Sequence, residues 1–343
     1  MKNRLYLLLL LIFSPSIFAH LDSAYYRSAS DGFTAKPKWM DTLRDDIMLS
    51  EIALPGTHDS AAYKNFVDSV STQALNFDQQ LEYGIRVFDI RVRHTSNAFA
   101  LHHGSIFLDV MFGDFMNSIN IFLSKNPSET IIFRLKQEIA PDNNNTRPMN
   151  KTLEYYIELY KDKFFNLQSM DTKLGDVRGK YMILSNNAAF HNYGLAYELA
   201  SIQDNFHLKT NWHLYSKWEA VKTQLDRASN GNNNRIYINY LSGSGGPFPY
   251  FVASGHSSPG TSAPRLSTGL TTPGWKDSYP DFPRTSCAGI CTISFEGTNI
   301  LTRDKLKYYN SLNMKRSVGI IMADFPGESL ISHVIDNNKN LRK

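Results

Sequence analysis

The chain has 343 residues, 42% of them hydrophobic and 13% aromatic, with 36 lysines and arginines against 32 aspartates and glutamates. That much apolar surface can fill a large core, so a disordered or collagen-like chain is excluded. A formal net charge of +4 leaves no basic footprint for nucleic acid, and two cysteines cannot frame a disulfide mini-fold.

Taken in chain order, the first element is an address. Lys2 and Arg4 lead into an apolar run over residues 5–13, followed by Ser14-Pro15-Ser16-Ile17-Phe18-Ala19. A charged start, a short apolar stretch and a small residue at the cut read as a secretory signal peptide over residues 1–19. Nine apolar residues are too few to span a bilayer, which takes roughly 20. Removing 19 of the 343 residues, two of them cationic, leaves 324 and lowers the charge from +4 to +2. A secreted protein, periplasmic or extracellular, is expected.

Strand-length apolar stretches then alternate with helical periods. Strands are expected at 47–54, 87–92, 99–102, 130–135, 180–184, 200–203, 236–241 and 318–323, several of them almost continuously apolar, as strands buried on both faces should be. Phe112, Phe115, Met116, Ile119, Phe122 and Leu123 recur at three and four, which predicts a helix that Pro127 stops. Ser216-Lys217-Trp218-Glu219 reads as a capping box opening a helix to about Ala228. About eight strands alternating with helices favour a parallel α/β barrel. The regularity fails from Ser242 to about Asn299, a stretch rich in Ser, Gly, Pro and Thr. Cys287 and Cys291 lie within it, and in an oxidising compartment they either pair or stay free thiols.

Four polar clusters fall at expected strand ends, which in an α/β barrel form the active-site face. They are Gly56-Thr57-His58-Asp59-Ser60, Asp89 with Arg91, His102-His103-Gly104, and Asp324 before Phe325-Pro326-Gly327. The period of two puts Asp89 and Arg91 on one strand face and Phe88 and Ile90 on the other. Singly, each cluster is more often a surface histidine, a structural ion pair or a capped turn. Together they are what phosphodiester cleavage by an internal hydroxyl requires. One histidine takes the attacking proton, the other protonates the leaving alkoxide, and a guanidinium meets the phosphate charge.

Four segments, Leu54-Pro55-Gly56-Thr57-His58-Asp59-Ser60, Gly84-Ile85-Arg86-Val87-Phe88-Asp89-Ile90-Arg91, Leu101-His102-His103-Gly104 and Asn126-Pro127-Ser128-Glu129-Thr130-Ile131-Ile132, resemble the bacterial phosphatidylinositol-specific phospholipases C. The resemblance is strong over about 48–140. It continues more thinly through 174–180, Ile202-Gln203-Asp204 and 320–324. It implies an α/β fold, a distorted and incompletely closed TIM-type (β/α)8 barrel, as a single domain over residues 20–343; the segment at about 254–299 is an insertion beyond what the compact bacterial members carry, and the resemblance is silent on it. It implies a lyase that needs no cofactor or metal and makes 1,2-cyclic inositol phosphate and diacylglycerol. His58 is then the general base, oriented by Asp324, and His103 the general acid, assisted by Asp59. Arg91 is the phosphate clamp, and Asp89 belongs to the same network. Lys136, Arg178 and Asp204 would hold the inositol hydroxyls, with Glu138 positioning Lys136. Phe206 stands where the family commonly has a tyrosine that stacks on the ring.

Calcium-dependent relatives carry an acidic ligand at the position of Arg91, where a guanidinium would repel the ion. The expected partner is phosphatidylinositol in membranes, with glycosylphosphatidylinositol-anchored proteins as a further class and the protein acting as a monomer. Phe248, Tyr250 and Phe251, with Phe66, Val67 and Val70, are the candidate membrane anchors, or else they pack under the long loop. The alternatives are a metal-dependent glycerophosphodiesterase-like barrel and a non-catalytic barrel that binds inositol lipids.

Overall fold

The computed structural model describes residues 22–26, 32–64, 67–231, 235–257, 265–312 and 317–343, so the leader expected at 1–19 lies outside them. In chain order the strands are β1 (Leu54–Thr57), β2 (Val87–Thr95), β3 (Ala98–His103), β4 (Ile106–Met111), β5 (Ile131–Gln137), β6 (Tyr181–Asn186), β7 (Leu195–Ala196) and β8 (Ser201–Gln203). There follow β9 (His207–Leu208), β10 (Tyr237–Tyr240), β11 (Ser244–Gly245), β12 (Ser267–Thr271), β13 (Arg284–Thr285), β14 (Thr292–Ser294) and β15 (Ile320–Ala323). The α-helices are α1 (Phe77–Glu82), α2 (Phe112–Lys125), α3 (Met149–Leu159), α4 (Leu174–Val177), α5 (Leu214–Asn230), α6 (Pro249–Ser254), α7 (Thr298–Ser311) and α8 (Glu328–Asp336).

Eight strands form one parallel path in the order β7-β6-β5-β2-β1-β15-β10-β8. β7 and β8, at the two ends of this path, do not pair with each other, so the curled sheet is an incompletely closed α/β barrel. Its strands β1 and β15 are buried at every residue, and β15 accordingly reads as an unbroken apolar run. Helix α2 buries the six residues whose spacing predicts it, and its capping residue Asn126 sits directly before Pro127. Among the described residues no helix is long and apolar enough to cross a membrane.

Four expectations change. The apolar residues at 47–53 fold as a 3₁₀ turn over Leu49–Glu51, and the strand begins only at Leu54; their burial serves the core without an extended backbone. The stretch at 99–102 is no barrel strand but the middle of an antiparallel ladder, β3 pairing with both β2 and β4. Ser216 does not open its helix: α5 starts at Leu214, and the Ser216 hydroxyl donates to the His213 carbonyl inside the first turn. The Ser/Gly/Pro-rich segment is not a plain loop but carries a three-stranded sheet, β12-β14-β13; of the two states expected for its cysteines, Cys287 and Cys291 adopt the paired one.

At the N-terminal end of the barrel two arginines tie the chain together. Arg86 is fully buried against Glu129, donating to its Oε2 from Nε at 2.9 Å and Nη2 at 2.8 Å, and also to the Leu81, Ile85 and Pro37 carbonyls. Its guanidinium also lies over the Phe122 ring at 4.7 Å. Stranding one charge of such a buried pair costs about 3–5 kcal/mol. Arg178 is the other. It pairs with Asp45 at 2.6 Å and donates to the Met40, Leu43 and Ser128 carbonyls. This corrects its expected place at an inositol hydroxyl, because Ser128 precedes β5 and Arg178 precedes β6, at the end of the barrel away from the histidines.

Candidate active site

The C-terminal strand ends close around a cavity of about 360 Å³, whose walls include His58, Arg91, His103, Arg134, Lys136, Glu138, Asp204, Phe206 and Asp324. His58 follows β1, and its backbone N–H donates to the Ala323 carbonyl, which seats it beside β15. Its Nδ1 lies 2.7 Å from Asp324 Oδ1, and its Nε2 lies 2.6 Å from Arg91 Nη2. A guanidinium has no acceptor, so Nε2 must offer its lone pair and Nδ1 must carry the proton that Asp324 receives. That is the tautomer of a general base. Burial disfavours protonation of this imidazole, but the Asp324 charge and hydrogen bond prevail, and its pKa lies above the ordinary 6.5.

The loop after His58 is held rigidly. Asp59 adopts φ +39, a left-handed conformation that costs a non-glycine residue about 1–2 kcal/mol. Its N–H donates to Asp89 Oδ2, and its carbonyl accepts from the Thr72 hydroxyl. The Ser60 hydroxyl donates to the Thr57 carbonyl and accepts from the Asp89 N–H, so the first loop and β2 move as one piece.

Arg91 is the hub. Its Nε donates to Asp89 Oδ2 at 3.0 Å, while its Nη1 lies 3.5 Å from Glu138 and 3.7 Å from Asp59. Burial opposes its charge, yet Asp89, Asp59 and Glu138 outweigh that and hold it firmly protonated. Asp89 is buried too, but Arg91 and Arg134 keep it far below the usual carboxylate range. Asp59 behaves differently: burial exceeds the pull of Arg91 and His103 and pushes its pKa up.

His103 reaches the cavity from the hairpin β3–β4, folded back off β2. Its Nδ1 bonds the Val70 carbonyl at 3.0 Å and lies 3.3 Å from Asp59 Oδ2. Its second nitrogen is thereby free of these contacts for a substrate atom. Glu138 bonds Lys136 at 2.6 Å and the Gly104 N–H at 3.0 Å, which ties the hairpin to β5. Asp204 and Phe206 form the wall beyond β8, and the Phe206 ring is exposed at the mouth. Ten of the eleven expected site residues thus gather here, Asp59 and Asp89 behind the wall and the others on it, while Arg178 lies apart.

Two residues that contact the catalytic network escape the sequence reading, Arg134 on the cavity wall and Tyr240 behind it. Arg134 donates to Asp89 Oδ1, the Tyr240 hydroxyl and Asn186 Oδ1, and it packs over the Tyr197 ring at 4.5 Å. Arg134 and Lys136 alternate on β5 as Asp89 and Arg91 do on β2, and the two pairs lie in register, so the same period-two signal would have revealed it. Tyr240, at the end of β10, sets its ring edge against His58 at 5.9 Å.

The family described as Phosphatidylinositol-specific phospholipase C, X domain, matches residues 53–187. A 1-phosphatidylinositol phosphodiesterase of Listeria monocytogenes is 28% identical over 322 residues, covering 88% of this chain and 85% of that protein. A 1-phosphatidylinositol phosphodiesterase of Staphylococcus aureus is 30% identical over 294 residues, covering 76% of this chain and 89% of that protein. The solved phosphatidylinositol-specific phospholipase C from Listeria monocytogenes superposes with a TM-score of 0.64 at 25% identity, over 89% of this chain and 99% of that one.

Proposed function

The chain belongs to the bacterial phosphatidylinositol-specific phospholipase C family, and from this we propose that it is a secreted phospholipase C that cleaves phosphatidylinositol. The reaction is intramolecular. His58 Nε2 takes the proton of the inositol 2-hydroxyl, whose oxygen attacks phosphorus. His103 protonates the departing diacylglycerol oxygen, and Arg91 neutralises charge on the phosphoryl oxygens. The products are diacylglycerol and 1,2-cyclic inositol phosphate, which is hydrolysed more slowly with the histidines exchanging roles. Asp324 and Asp59 hold the two imidazoles. Lys136, positioned by Glu138, bonds the sugar hydroxyls together with Asp204, and Phe206 stacks on the ring.

The observation that carries this reading is the contact of Arg91 with His58 at 2.6 Å, with Asp324 behind the imidazole. A base and a phosphate clamp that touch must act on one group. The same contact favours a metal-independent reaction over a glycerophosphodiesterase-like one, since Asp59, Asp89 and Glu138 spend their charge on a guanidinium. A substrate panel in excess EDTA tests it. Phosphatidylinositol should be cleaved and phosphatidylcholine left intact, with glycosylphosphatidylinositol-anchored proteins as the third arm. Activity lost in EDTA and restored only by Ca²⁺ would overturn the metal-independent reading, and no product at all would favour a binding barrel.

Membrane contact runs through the rim of the cavity. Of the anchors expected from sequence, Tyr250 and Phe251 are buried, because all of α6 is covered and Tyr250 packs edge-on against Phe325, and Val70 is buried in the barrel core; Phe66 lies outside the described residues. Val67 and Phe248 are exposed at 68% and 48%, and the β4 residues Ile106 and Phe107 join them just beyond Gly104. Each such side chain contributes about 1.5–3 kcal/mol when buried in lipid. A Val67→Ser/Phe107→Ser/Phe248→Ser variant should partition into phosphatidylcholine–phosphatidylinositol vesicles at least about 100-fold less well. Unchanged partitioning would remove this rim from the membrane contact.

A further inference from the structure

Lys217 is a fully buried lysine on α5 that no part of the reaction above uses. Lysine is almost never fully buried without a charged partner. Among the described residues its amine has one hydrogen-bond partner, the uncharged Gln203 Oε1 at 3.4 Å. Gln203 ends β8 and is itself a junction. Its Oε1 accepts from the Asn205 N–H at 2.8 Å, and its Nε2 donates to Asn239 Oδ1 and the Tyr240 carbonyl. Asn205 sits between Asp204 and Phe206, the wall of the cavity, and Tyr240 sets its ring against His58.

We infer that Lys217 is a positioning residue of this site: through Gln203 its buried amine holds the turn bearing Asp204 and Phe206, and its charge acts on the His58–Asp324 pair. The inference rests on the proposed role of His58 as base. The charged groups that face the amine are Asp204 beyond β8 and Asp324 beyond β15. Burial lowers the pKa of the amine to about 7, against the pull of these two carboxylates, so its charge changes near neutrality. Asp324 Oδ2 and Ser242 Oγ, both buried, have no hydrogen-bond partner among the described residues. Asp324 thus keeps one buried oxygen without a hydrogen-bond partner among these residues while its charge pulls on the amine.

Such an amine costs stability. Its folded pKa lies below the unfolded value near 10.5, so the folded state is penalised at every pH below that, increasingly as pH falls toward about 7. A methionine of similar volume would remove the penalty.

Lys217→Met tests this with three readouts. Its Tm should equal or exceed that of the native enzyme, by more at pH 7 than at pH 10. The KM for phosphatidylinositol should rise about tenfold as the turn loses its support. The pKa of the His58 imidazole, followed by NMR in the resting enzyme, should rise by about half a unit as a neighbouring positive charge is removed. An unchanged KM overturns the positioning role, and an unmoved His58 pKa overturns the electrostatic one. Should Lys217→Met not fold, Gln203→Ala is the second variant: it keeps the amine, so KM should rise with the His58 pKa unmoved, and a KM at the native value overturns the link. If the native enzyme leaves phosphatidylinositol intact, the proposed function fails, while the NMR comparison still decides whether Lys217 acts on His58.

Discussion

Replacing His58 with alanine is expected to lower kcat for phosphatidylinositol by about 10²–10⁴-fold while the circular dichroism spectrum stays native. The loss follows from position. Among the described residues the Arg91 guanidinium meets the carboxylates of Asp89, Glu138 and Asp59 and one imidazole, His58, whose Nε2 at 2.6 Å is its shortest contact and the base nearest to wherever the phosphate is clamped. The pH profile sharpens the test. The base must be neutral, and its pKa lies above 6.5, so kcat/KM should rise through an acid limb centred above pH 6.5. Asp324 supplies the largest effect raising that value, so Asp324→Asn should move the limb to lower pH even as the maximum rate falls. A His58→Ala enzyme retaining a tenth of native turnover would remove His58 from the role of base.

Arg91→Lys is the second large effect, expected to lower kcat by about 10²–10³-fold. Lysine keeps the charge and loses the fork. Arg91 uses Nε and Nη2 on Asp89, Nη2 on His58 and Nη1 toward Glu138, and an ammonium cannot make these contacts at once. The fold should hold, because Arg134 still faces Asp89 Oδ1 at 3.3 Å and a cation remains nearby. Arg91→Met should do worse, leaving buried Asp59 and Asp89 short of a counter-charge at about 3–5 kcal/mol of stability. Steady-state kinetics with a denaturant melt of each variant separates the two losses. Native kcat in Arg91→Lys would mean that charge alone suffices.

The barrel was legible where burial on both faces wrote apolar runs, as at 87–92, 131–135, 181–184, 237–240 and 320–323, all of which are strands. It was illegible where the same apolar signal serves another backbone. Ile47, Leu49 and Ile52 are as buried as strand residues, yet they belong to a 3₁₀ turn and its flanks. Periodicity also cannot tell a barrel strand from a hairpin strand. His103 therefore reaches the cavity by an antiparallel route that alternation with helices does not suggest.

Side-chain placement followed the same division. Asp89 and Arg91 were readable because the period of two leaves them on one face, whereas Arg178 came from resemblance alone. Its partners Met40, Leu43 and Asp45 lie more than 130 residues away in sequence, beyond any local pattern. The motifs around Arg86 and Glu129 proved to serve the closed end of the barrel, not the chemistry. Tyr250 and Phe251, aromatic and set in a polar stretch, fit either an anchor or packing under the long loop, and α7 with Phe295 after β14 decides for packing.

The central claim is that the inositol's own hydroxyl is the nucleophile, delivered by His58 across the Arg91 clamp. Phosphorus NMR of phosphatidylinositol digested in EDTA tests it most directly. A cyclic phosphodiester signal should appear first and decay slowly to a monoester, and in the His58→Ala digest both should form about 10²–10⁴-fold more slowly. A monoester formed from the outset with no cyclic species at any time would contradict it.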